Sequence, residues 1–78
     1  MKTRYQYINF VLIKNTGKTT QWSIYNNRTL DLLGYVKWYG SWRQYCFHTI
    51  SNTVFNDGCL KDILDFIGQL EEIRIKSK

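Results

Sequence analysis

The residues of this chain best suited to chemistry are one histidine, His48, and two cysteines, Cys46 and Cys59. A thiol beside an imidazole is the pairing of cysteine nucleophiles, in which the ring takes up the thiol proton. Cys46 and His48 stand two residues apart. On a strand that spacing puts both on one face, side by side, with no line of attack. A strand histidine and an ordinary thiol is the simpler reading, and we adopt it. Two cysteines far apart and one histidine also fall short of the ligands of a zinc site, so no metal is expected. Asp62 and Asp65 are the type of carboxylate pair that does acid–base work, but they belong to the solvated side of a helix. No catalytic residue and no cofactor is assigned, and the chain is expected not to be an enzyme.

Binding chemistry is better represented. Tyr35, Lys37, Tyr39, Trp42 and Gln44 alternate along the stretch 33–47, with Arg43 and His48 beside them. Aromatic rings mixed with cations stack the bases of single strands. They equally supply most of the energy of protein interfaces. No ribonucleoprotein-type motif or recognition helix is present. A protein partner therefore ranks above a nucleic acid, with a nucleotide or a nucleic acid as the alternative ligand.

The placement of these residues depends on Gly40-Ser41, which suits a two-residue type II′ hairpin turn. That turn sets Tyr39 opposite Trp42, Trp38 opposite Arg43, Val36 opposite Tyr45 and Gly34 opposite Phe47. Strand side chains alternate between faces. Gly34, Val36, Trp38, Arg43, Tyr45 and Phe47 then share one face, assigned to the core, where Phe47 covers the gap left by Gly34. Leu33, Tyr35, Lys37, Tyr39, Trp42, Gln44, Cys46 and His48 share the other. Arg43 opposite Trp38 would form a cation–π pair, either to hold the hairpin tip or to present a guanidinium to phosphate or carboxylate.

Two earlier strands are expected, over Tyr5 to Ile13 and Thr20 to Tyr25, separated by the turn residues Asn15 to Lys18. A third covers Leu30 to Tyr39 and a fourth Trp42 to Thr49, with a short extended piece over Thr53 to Phe55. Asn56 or Asp57 then caps a helix. Leu60, Ile63, Leu64, Ile67 and Leu70 form its apolar stripe, and helicity fades after Ile73. The sum is one α+β domain over residues 1–78. A four-stranded, mostly antiparallel sheet (about 5–55) carries a C-terminal helix (about 57–73) on one face. The stripe packs on Trp22, Ile24, Val36, Trp38, Tyr45 and Phe47, and the other sheet face lacks a cover.

Seventy-eight residues leave a small core, for which large aromatic rings and self-association compensate. An isologous dimer is the simplest such association. The net charge of +5 is unevenly placed. Residues 1–56 carry seven basic residues against Asp31 alone; residues 57–78 carry four against five acids. A basic sheet favours an anionic partner. The longest apolar run is Phe10 to Ile13, too short for a secretory core or a membrane span. The expected location is the cytoplasm, with both thiols reduced.

Lys37-Trp38-Tyr39, then Trp42 to Phe47, Thr53 to Asn56, Cys59-Leu60, Asp62-Ile63 and Phe66-Ile67 form a pattern. It resembles a group of short uncharacterised proteins of bacteriophages and other bacterial mobile elements, over about residues 33–70. The resemblance implies a phage or mobile-element gene. In that setting the expected function is a small non-enzymatic protein that blocks a bacterial antiviral system. It would do so by stoichiometric binding of a defence protein or by sequestering a nucleotide signal. The alternatives are a nucleic-acid-binding accessory protein and a structural or assembly factor of the virion.

Overall fold

The computed structural model describes residues 1–76. Four strands follow one another as a meander: β1 (Ile8–Asn15), β2 (Thr20–Asn26), β3 (Leu32–Tyr39) and β4 (Gln44–Thr49). Their order in the sheet is their order in the chain, and each neighbouring pair is antiparallel. A single helix, α1 (Asp57–Lys76), packs on one face. The fold class is the α+β arrangement read from the sequence.

Local chemistry explains the first two turns. Asn15 Oδ1 accepts from the Gly17 amide at 2.8 Å, and Thr16 Oγ1 accepts from the Thr19 amide at 3.1 Å. Gly17 sits at φ +88, where the absence of a Cβ removes the steric cost. In the β2–β3 loop, Asn26 Oδ1 accepts from the amides of Arg28 and Thr29, and Leu30 adopts φ 65. A left-handed leucine is uncommon, and here it is exposed.

The first strand begins at Ile8 instead of Tyr5. Residues before it fold back along its outer edge. The Tyr5 amide donates to the Ile8 carbonyl and the Phe10 amide to the Thr3 carbonyl, both at 2.8 Å. Asn27 pins this return. Its Nδ2 donates to the Tyr5 carbonyl at 2.8 Å, its amide donates to the Tyr7 carbonyl at 2.8 Å, and its Oδ1 accepts from Asn9 Nδ2 at 2.6 Å.

The β3–β4 connection corrects the expected register. The loop is four residues, 40–43, not two. The Trp42 amide donates to the Tyr39 carbonyl at 3.2 Å and the Arg43 amide to the Gly40 carbonyl at 3.3 Å. Arg43 closes the loop at φ 53. Tyr39 now opposes Gln44, Trp38 opposes Tyr45, Val36 opposes Phe47 and Gly34 opposes Thr49. The slip is two residues, one full side-chain period, so the strand residues from Gly34 to Tyr39 and from Gln44 to Thr49 keep their faces. Leu33, expected on the open face, is the extra residue at the β2–β3 irregularity and packs against the core instead. Arg43 and Trp42 leave the strand. The Trp38–Arg43 pair does not form; Arg74 of α1 stands over the Trp38 ring instead, 5.4 Å from its centre. Tyr45 meets Trp38 edge-on at 5.4 Å. Trp38 is half-buried and, as expected of its face, packs against the core cluster on the helix side. Phe47 still reaches Gly34: a Cβ there would lie 2.9 Å from Phe47 Cε1 and 2.6 Å from the His48 carbonyl oxygen.

The helix is capped by Asn56, whose Oδ1 accepts from the Cys59 amide at 2.8 Å. It runs through Lys76, three residues beyond the expected fade. Two ion pairs support that last stretch, Glu71–Arg74 at 2.8 Å and Glu72–Lys76 at 3.0 Å. Its buried side also differs from the expected stripe. Ile63, Phe66 and Leu70 are buried, with Cys59 and Ile67 packed beside them, whereas Leu60 and Leu64 are 43% and 68% exposed. The ring of Phe66 turns the helix. It stacks on Phe10, centres 3.9 Å apart and planes 2° apart, and meets Trp22 edge-on at 5.0 Å. The remaining core comes from Tyr5, Ile8, Ile24, Val36 and Tyr45. Thr53 to Phe55 forms no strand; the Phe55 ring packs edge-on against Phe47 at 5.0 Å.

Tyr5 locks the N-terminal return to the helix. Its hydroxyl donates to Asp65 at 2.6 Å and accepts from Gln69 Nε2 at 2.8 Å. Burial first, and then the Asp65 carboxylate, push its phenol well above the usual tyrosine range.

Phe66→Ala should lower stability by about 3–5 kcal/mol, the usual cost of truncating a buried ring. Gly34→Ala should cost about 1–3 kcal/mol, because its Cβ has no room. Denaturant melts of both variants check these values, and an unchanged midpoint for Phe66→Ala would contradict this helix orientation.

Candidate functional site

α1 covers one face of the sheet, so the side chains that alternate away from it form an open face. The strand register builds that face in rows. Lys14, Gln21, Lys37 and Cys46 lie across the four strands as successive partners. Val11, Ser23, Tyr35 and His48 form the adjacent row. The extra residue Ile13, at the β1 irregularity between Leu12 and Lys14, brings Lys14 onto this face. Ser23 is buried even here, between its neighbours.

The charge of the face has one sign. None of the four strands contains Asp or Glu. The six acidic residues are Asp31, in the β2–β3 loop, and five on α1. Lys14 and Lys37 therefore stand on the open face without a carboxylate in any strand beside them. The sheet geometry sharpens the asymmetry already visible along the chain, because all the helical acids belong to the element on the opposite face.

The candidate site residues sort into three groups. Tyr39, Trp42 and His48 come together at the β4 side. Tyr39 and Trp42 meet edge-on, centres 5.2 Å apart and planes 88° apart. His48 approaches the Tyr39 ring at 6.2 Å. These rings, with Cys46 and Phe47, line a recess of about 320 Å³. Tyr35 and Lys37 lie next to them in the rows and are half-buried. Gln44 and Arg43 are exposed at the hairpin end. The four-residue loop explains the grouping. It lifts Trp42 clear of the strand, leaves it 66% exposed and tips its ring against Tyr39. Cys46 was not assigned as a site residue, although its alternation with Gln44 and His48 already put it on this face.

His48 is the chemically unusual member. Its Nε2 is buried and has no hydrogen-bond partner among the described residues. Burial, and secondarily the charge of Lys37, hold its imidazole below the usual histidine range. The Cys46 thiol donates weakly to the Gln44 carbonyl at 3.9 Å. Asp65, the candidate acid–base carboxylate on the helix, accepts the Tyr5 hydroxyl. The arrangement offers stacking surfaces, an apolar recess and cations.

Over 70 residues the chain is 44% identical to the "Uncharacterized 9.3 kDa protein" of Acholeplasma phage L2, spanning 88% of this chain and 90% of that protein. It belongs to the family of that phage protein. No family model matches the chain, and no solved structure matches it. Among the described residues no helix is long and apolar enough to cross a membrane.

The depressed basicity of His48 predicts a pH dependence. The unfolded chain binds a proton near pH 6.5, more readily than the folded chain does. Stability should be full above about pH 6.5 and fall as the pH drops toward the folded value. Thermal melts from about pH 7.5 to about pH 5 should show this decline. His48→Gln should flatten it; an equal decline in that variant would assign the effect to other groups.

Proposed function

We propose that this phage-family protein acts by stoichiometric binding and not by catalysis. Its target is a host protein, a component of bacterial antiviral defence, engaged by the open sheet face. The observation that carries the reading is the cluster of Tyr39 and the 66% exposed Trp42 beside Lys37, on a face whose strands hold no carboxylate. Exposed aromatic clusters of this kind mark interaction surfaces on small proteins, and Trp, Tyr and Arg dominate interface energetics. The cationic row favours an acidic region on the target. The phage relationship supports the setting, and a rigid sheet that presents anchors without ordering cost suits an inhibitor.

The edge-on contact of Tyr39 with Trp42 favours protein over nucleic acid. Rings at right angles make an interface anchor more readily than two parallel platforms for successive bases. The second reading, nucleic-acid binding, rests on the Lys14–Lys37 row with Tyr35 beside it.

Trp42→Ala and Lys37→Glu should leave the circular dichroism unchanged and weaken capture of the host partner by at least about tenfold, as expected for loss of an interface anchor. Capture should resist nuclease and fall only modestly as salt screens the cationic row. Binding that collapses as salt rises, through counterion release, would support the nucleic-acid reading. Capture unaffected by both substitutions would remove the face from consideration.

A further inference from the structure

We propose that the outer edge of β4, with the flank of α1 above it, forms the interface of a two-fold dimer in which β4 pairs antiparallel with β4 of a second copy.

The two edges of the sheet are treated differently. The outer edge of β1 is closed along its first half, where Thr3 and Tyr5 bond to Phe10 and Ile8, and is distorted by the irregularity after Leu12. Both devices discourage further pairing. On β4, the Tyr45 amide donates to Glu71 Oε1 at 3.4 Å, so it points away from β3. Alternation along the strand turns the amides of Phe47 and Thr49 the same way. Neither has a partner among the described residues.

The helix flank over this edge is apolar. Phe66, Asp65 and Gln69 face Phe10 and Tyr5, on the β1 side. Glu71 faces β4. Leu60, Leu64 and Ile67 lie in the row that leads to Glu71 at helical spacing, so they belong to the β4 side. Leu64 is 68% exposed, and beyond it a Cβ on Gly68 would meet nothing within 4 Å.

A second copy fits both features with one symmetry axis. Pairing about Phe47 lets the two Phe47 residues exchange amide–carbonyl bonds and sets Tyr45 opposite the second copy's Thr49, whose amide donates to the Tyr45 carbonyl while the Tyr45 amide keeps Glu71 as its partner. Glu71 is level with Tyr45. Two strand residues span about 6.8 Å, which equals roughly four to five residues of helix. The axis through Phe47 thus passes α1 near Phe66. About that point Leu64 meets the second copy's Gly68, a large side chain against a gap. The acidic first turn of α1, at Asp57, meets the basic last turn, at Lys76. An isologous contact needs this self-complementarity. The product is a continuous eight-stranded sheet with both helices on one face and one doubled open face, in which Cys46 stands opposite the second copy's His48. The dimer does not depend on what that open face binds.

Sedimentation or light scattering of the full chain should give the dimer mass at about 100 µM, a concentration at which a micromolar complex is largely formed. Thr49→Pro removes an outward amide without touching the β3 ladder, and Leu64→Glu puts a charge in the flank. Both should halve the mass with unchanged circular dichroism, while Trp42→Ala should keep the dimer. Hydrogen exchange of the unaltered chain supplies a test free of folding effects: the Phe47 and Thr49 amides should become protected as concentration rises. A monomer at that concentration, a dimer that survives both substitutions, or one lost to Trp42→Ala alone would overturn the proposal.

Discussion

The stacked contact of Phe66 on Phe10 fixes how the helix lies on the sheet, and most of the structure follows from it. The two rings come from opposite ends of the chain, and Trp22 closes on Phe66 from the side. A buried ring contributes more area than a leucine, so the helix rotates to put Phe66 inside and leaves Leu64 out. That rotation brings Asp65 and Gln69 to Tyr5 on one side and Glu71 to the Tyr45 amide on the other. The helix thereby ties down the N-terminal return and caps part of an edge strand with a single set of side chains.

The open face is the complement of that packing. One helix supplies apolar surface for one side of a four-stranded sheet, and an antiparallel sheet can leave its other side to solvent. Because all the helical carboxylates lie on α1, on the covered side of the sheet, the face left open carries cations and rings. Charge segregation and fold are one arrangement in this protein. It would draw an acidic partner to the aromatic cluster by field and hold it by contact.

The site itself rests on the hairpin loop. A two-residue turn would have kept Trp42 in the strand and Arg43 over Trp38. Four residues free both. Trp42 then packs on Tyr39 at the rim of the recess, and the place over Trp38 passes to Arg74. His48 ends up with a buried Nε2 that has no hydrogen-bond partner among the described residues.

Alternation and periodicity were legible in the chain because they are local. They determined four strands, one C-terminal helix, the α+β class, and the side of the sheet on which Trp22, Ile24, Val36, Tyr45 and Phe47 lie. The face assignment of Tyr35, Lys37, Tyr39, Gln44, Cys46 and His48 held even though the register moved, because a slip of two residues equals the period of a strand. Tertiary structure alone decided the loop length, since Gly40-Ser41 is compatible with either turn and the choice depends on packing around Trp38 and Tyr45. It also decided the helix rotation. Leu64 and Phe66 fit nearly adjacent stripes, and only the presence of Phe10 and Trp22 across the core selects one. The role of Asn27 was equally hidden, because its partners Tyr5, Tyr7 and Asn9 are brought near only when the chain folds back on β1. Contacts between residues distant in sequence have no local signature, and they set the geometry of this site.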